Sequence, residues 1–198
     1  MIESYSADHT CAKSTSASEW TEVPILCEPS TGASLDVERA ELLAFLTSQR
    51  QSVLAIVDGL NDVALRQTVV PSGWTPLGMI EHLAYAERFW FQHVVSGEVG
   101  ELPWPASKAE EEDGPFTSSQ TVDAVLAFYR DQCARSDAVL TTTPLTAAPR
   151  GQIPPGLADL ARDARTIVLH MIEETARHAG HLDVARELID GRTGLGSR

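Results

Sequence analysis

His170-Met171-Ile172-Glu173-Glu174-Thr175-Ala176-Arg177-His178-Ala179-Gly180-His181 places three of the chain's six histidines within twelve residues. At about 100° per residue, His170, Glu174, His178 and His181 share a helical sector of about 80°. Ile167, Met171, Leu182, Ala185 and Ile189 fill an adjoining and overlapping sector, so the polar stripe faces the interior of a helical assembly or its edge. The pattern predicts a long helix from near Leu160 to Asp190, with Gly191 as its stop. Polar groups on such a face need partners.

Upstream of that helix, three more amphipathic segments are legible. A helix is predicted from near Asp36, where Ser34 or Asp36 can cap it, carrying Leu42, Leu43, Phe45, Leu46, Val53, Leu54 and Val57 to a stop at Gly59. Residues 60–74 form a connection with a turn at Pro71-Ser72-Gly73. Thr75-Pro76 marks the start of a second helix running to about Ser96, because threonine caps free amides and proline suits the first turn. Met79, His82, Leu83, Ala86 and Phe89 or Trp90 give it a buried face.

Residues 97–117 carry Pro103, Pro105, Gly114, Pro115 and the acidic run Glu110 to Asp113, a composition read as a long crossover loop. A third helix follows from Ser118 or Ser119, with Val122, Val125, Leu126, Tyr129, Cys133 and Val139 inward, and ends at Thr141 to Pro144. No segment alternates as a strand does. The expected fold is all-α, a four-helix bundle with a long crossover between helices 2 and 3. Two regions are expected: an N-terminal arm over residues 1–33, extended or partly disordered, and the metal-binding bundle over residues 34–198.

Fifteen basic against twenty-eight acidic residues give a net charge of −13, which argues against nucleic acid and anionic membranes as partners. Cys11, Cys27 and Cys133 are widely separated and form no CxxC pair. That usage fits a reducing cytoplasm. Neither a signal peptide nor an apolar run long enough to span a membrane is read.

Glu174 and His178 stand four residues apart, where neighbouring side chains can bite a single ion. Three protein donors are usual for a catalytic zinc, and His82 on the inward stripe of the second helix is the natural third. The alternative is a set of polar groups that satisfy one another by hydrogen bonding. His93, eleven residues beyond His82, lies about 16 Å further along its helix and is too far to share the ion. Trp74, Tyr85, Trp90 and Trp104 are core aromatics or the walls of a cavity above the site.

Two stretches carry a family resemblance. Ser72-Gly73-Trp74-Thr75-Pro76-Leu77-Gly78-Met79-Ile80-Glu81-His82-Leu83-Ala84, with Glu87 and Trp90 after it, resembles the second helix of the DinB-like superfamily. The His170 to His181 stretch, continuing through Asp183, Arg186 and Glu187 to Gly191, resembles its last helix. The resemblance covers roughly residues 36–194. It implies a four-helix bundle, a divalent metal and, in several branches, a low-molecular-weight thiol as cosubstrate: mycothiol, bacillithiol or glutathione.

The His, then Glu-x-x-x-His arrangement is similar to mycothiol-dependent maleylpyruvate isomerase and the mycothiol transferases; many other members have histidine in place of the glutamate. On that basis His82, Glu174 and His178 are the implied metal ligands. His181 stands where many relatives have glutamine, and is a fourth ligand, a base, or a group that bonds to a ligand.

The function expected is a metal-dependent thiol transferase. Zinc is the first choice of ion, with Ni2+ or Fe2+ also compatible with imidazole and carboxylate donors. A mycothiol-type thiol ionises on the metal and attacks a small electrophile, and His181 moves a proton. One alternative is a zinc-hydroxide hydrolase of a small amide or ester. Another is a non-catalytic dimeric helical bundle held by a structural metal or a His/Glu cluster. The resemblance also makes a homodimer an expectation.

Overall fold

The structure, a computed structural model, describes residues 32–98, 116–154 and 156–194. Within them all regular structure is helical: α1 (Gly32–Val57), α2 (Asp62–Leu65), α3 (Pro76–Glu87) continued by a π-helical segment (Arg88–Val95), α4 (Val122–Thr142), a 3-10 turn (Ala158–Leu160) and α5 (Ala164–Asp190). The long helices α1, α3, α4 and α5 make the expected bundle. α1 packs along α5, α3 along α4, and α3 also meets α5.

Local chemistry sets most boundaries. Thr75, in extended backbone, accepts a hydrogen bond on Oγ1 from the Gly78 amide at 3.1 Å, and Pro76 follows where no amide partner is required. Asp163 starts α5 in the same way, accepting from the Thr166 amide and from its hydroxyl, each at 2.8 Å. α5 stops at Gly191, whose φ of 79° suits a residue without Cβ.

Several expectations need correction. α1 begins at Gly32, not near Asp36, because Ser34 and Asp36 permit a cap but neither forbids the helix from passing through them. Phe45 was assigned inward yet is 62% exposed. It stands about 100° from Leu46, outside the narrow sector shared by Leu46, Val53 and Val57. The predicted connection contains the one-turn helix α2, capped by Asn61 Oδ1 accepting from the Ala64 amide.

α4 starts at Val122 behind a Thr121 cap, because the Ser118 hydroxyl is engaged by the Gln120 amide in a turn. α5 starts at Ala164, since residues 158–160 form a separate 3-10 turn. The second helix reaches Val95, but its last eight residues are π-helical. Of the arm expected over residues 1–33, residues 1–31 lie outside the described residues, as do Trp104 and the acidic run, while Gly32 and Ala33 belong to α1.

The core has two clusters. Leu46, Phe91, Val94, Leu140, Ile167 and Met171 belong to one, and Val53, Leu77, Ile80, Leu83, Tyr129 and Leu182 to the other. Side chains of this size each contribute about 1.5–3 kcal/mol when fully buried. On α5, Glu174 and His178 fall between the two apolar sets.

Polar ties lock the helices in register. Arg50 of α1 donates to both carboxylate oxygens of the buried Glu87 at 2.7 and 2.6 Å, and to Asp137 of α4 at 2.7 Å. Arg186 of α5 donates to the carbonyls of Ile56 and Asp58, which the end of α1 leaves without helical partners. The end of the π segment is closed from a distant loop, with the Arg150 and Gly151 amides donating to the Val94 carbonyl at 3.1 and 2.9 Å.

Candidate metal centre

His82 lies two turns into α3, and Glu174 and His178 lie one turn apart on α5, so the contact between these helices brings the three together. Glu174 Oε1 accepts from His178 Nε2 at 2.9 Å and from His82 Nε2 at 3.2 Å, in the tautomers that protonate those nitrogens. The two imidazoles meet edge to face with centroids 5.0 Å apart. One potential ligand atom from each residue lies within 4.8 Å of the others.

Two N–H groups aimed at one carboxylate oxygen favour the charged acid. The Glu174 carboxyl is held below the ordinary carboxylate range, first by the bond from His178 and then by that from His82, against the opposing effect of burial. A cation can take the place of those two protons, since ligating imidazoles must surrender them. Two imidazoles and one carboxylate, half to fully buried and convergent, form a donor set that fits a divalent ion.

His181 is not in the convergent set. It is exposed, and its Nδ1 lies 3.3 Å from His178 Nδ1, the nitrogen that points away from Glu174. Burial, then the neighbouring His178 and Arg177, place its pKa below the ordinary histidine value. Neutral imidazole is therefore its form near pH 7. Its other nitrogen is not used by this contact. Trp74 stands beside it, ring centroids 6.2 Å apart.

The remaining candidates separate cleanly. His170 sits half-buried, edge to face with Trp90 at 4.8 Å, and burial lowers its pKa. His93 stacks on Phe89, eleven residues past His82. Glu173 is exposed and accepts from Arg177, while Arg50 is committed to Glu87 and Asp137.

Sequence reasoning missed Phe116. Its ring lies flat on His82, centroids 4.0 Å apart at 15°, and meets His178 edge-on at 6.0 Å. A signal was available in Gly78, a glycine inside the first turn of a well-capped helix. A Cβ there would overlap the carbonyl of Phe116.

Residues 41–191 match the mycothiol-S-transferase family. The chain belongs to that family. A comparison with curated proteins finds no match. The match runs from the third turn of α1 to the end of α5 and includes both helices that supply the cluster. Membership in the mycothiol-S-transferase family suggests mycothiol S-transferase activity and a thiol substrate, and the His82, Glu174 and His178 cluster is compatible with a divalent metal. Among the described residues, no helix is long and apolar enough to cross a membrane.

Proposed function

We propose that this chain is a metal-dependent thiol S-transferase that joins a mycothiol-type thiol to a small electrophile. The observation that carries the proposal is the convergence of His82, Glu174 and His178 in a chain of the mycothiol-S-transferase family. These three residues hold the divalent ion, zinc by preference. When bound there, the ion supplies positive charge that favours a thiolate over a thiol.

The chain's own residues do the rest. Glu174 keeps its charge because both imidazoles stabilise it, so the site offers one carboxylate and two imidazoles as donors. His181 takes the thiol proton, being neutral and exposed beside His178. The sulfur lone pair forms the new bond to the electrophilic carbon. The bonding pair to the leaving group departs with it, and His181 returns the proton there. Trp74 and Phe116 wall the site with apolar surface.

The nucleophile comes from outside the described chain. Cys133 is largely buried, and burial, with Glu87 nearby, pushes its thiol up to about 12, so it stays protonated. A reducing cytoplasm keeps a free thiol cosubstrate available. We carry the homodimer forward as part of this proposal; Val184 and Leu188, one turn apart and exposed on α5, are apolar surface for it to cover.

The test is the metal content of purified protein by elemental mass spectrometry, wild type beside Glu174→Ala, followed by consumption of mycothiol with model electrophiles. About one zinc per chain, lost in the variant together with thiol turnover, is the expected result. A protein that takes up no ion sinks the proposal. Ester or amide hydrolysis without thiol consumption replaces it by the hydrolase.

A further inference from the structure

We infer that Phe116 is a positioning residue that fixes the His82 imidazole, so that the three donors are already aimed at one point before an ion arrives. The inference rests on the metal-binding function proposed above. It begins with a freedom the helix leaves open: the χ2 torsion of a histidine is broad, and rotation about it swings Nε2 away from its target. The bond between Nε2 and Glu174 is one restraint on that rotation, at 3.2 Å. A second ring at 4.0 Å and 15° restrains the plane.

Phe116 is itself held. Its carbonyl accepts from the Thr75 amide at 2.9 Å, immediately before α3. The same carbonyl occupies the space that any Cβ on residue 78 would need. The start of α3 therefore grips the residue whose ring lies over His82, two turns further along that helix. The phenyl also reaches His178 edge-on, so it borders two of the three donors.

Packing alone is a poor account of this residue. Phe116 is 37% exposed, well above the buried aromatics of the two core clusters. Its contribution lies in what it faces, not in how much surface it removes from water. Partners that orient a metal-ligating histidine typically change affinity by about 10–100-fold when removed.

The experiment compares wild type with Phe116→Ala, Phe116→Leu and Phe116→Tyr. Zinc affinity is measured by competition with a chromogenic chelator, Co2+ absorption reports the geometry, and thermal melting of metal-free protein reports the fold. The expected result is about 10-fold weaker zinc binding and altered Co2+ bands in the Ala and Leu variants, wild-type behaviour in the Tyr variant, and an unchanged metal-free melting point.

Wild-type affinity and spectrum in the Leu or Ala variant overturn the inference, as does an equal loss in the Tyr variant, which keeps the ring face. Should the Ala variant not fold, the Leu variant decides. A wild-type protein that binds neither ion overturns the metal-binding proposal itself and this inference with it. Binding by wild type that is unaffected by loss of the ring overturns this inference alone.

Discussion

His181 and His178 illustrate how one residue's role depends on which of its nitrogens is engaged. The contact runs between the two Nδ1 atoms, leaving His178 Nε2 to Glu174. Replacing His181 by Gln is expected to lower thiol turnover by about 10²–10⁴-fold with metal content intact, because a proton carrier is lost and no ligand is. Loss of the ion in that variant would make His181 a ligand instead. Metal analysis and steady-state kinetics on the same preparation separate the two.

At Asp163 the same scale governs stability. Its carboxylate accepts from the Thr166 amide and hydroxyl, and the amide bond is the main cause of a pKa below the ordinary 3.8. A depressed acid contributes stability that is complete above the unfolded-state value and is lost as pH falls through the folded one. Asp163→Ala is expected to cost about 1 kcal/mol near neutral pH, typical for an N-cap. Urea denaturation against pH checks this: the gap to wild type closes as pH falls below 3.8, whereas Asp163→Asn, which caps without titrating, stays close to wild type at neutral pH.

Between elements, Arg50 of α1 pairs with Glu87 of α3, side chains 6% and 1% exposed. Arg50→Met leaves Glu87 charged and buried without its partner. The expected cost is about 3–5 kcal/mol, while Arg50→Met with Glu87→Leu recovers most of it. Urea unfolding of the two variants supplies the comparison; a double variant no better than the single would show that the pair contributes more than mutual compensation.

The elements themselves were unevenly legible. Thr75-Pro76 and the His170 to Gly191 stretch announced two helices, and Glu174 with His178 a neighbouring pair, because caps and i, i+4 spacing are local signals. The π segment carried no such mark. An α and a π turn draw on the same residues, and the choice is made by packing of Phe89, Trp90, Phe91 and Val94 into the core. Phe116 left no mark beyond Gly78 for a related reason, since its contact with His82 exists only once the start of α3 has gripped its backbone. The starts of α4 and α5 were misplaced because several Ser, Thr and Asp residues compete as caps, and the tertiary contacts choose among them.

For the whole molecule, the cluster joins α3 to α5 across the bundle. A ligand that binds only the folded chain stabilises it by about 2.7 kcal/mol at a hundred times its dissociation constant. Zinc is therefore expected to raise the melting temperature by several degrees, and a chelator to reverse the rise. Calorimetry of wild type and Glu174→Ala checks it; equal zinc responses in both proteins would place the ion elsewhere.

The split of the cluster between α3 and α5 also has a meaning in time. His82 and Glu174 are 92 positions apart. A ribosome adding about 5–20 residues per second needs roughly 5–18 s to pass from one to the other. During that interval the nascent chain offers one of the three donors of the cluster. α5 brings the carboxylate and the second imidazole together, so the complete donor set exists only once that helix has been made and can pack against α3.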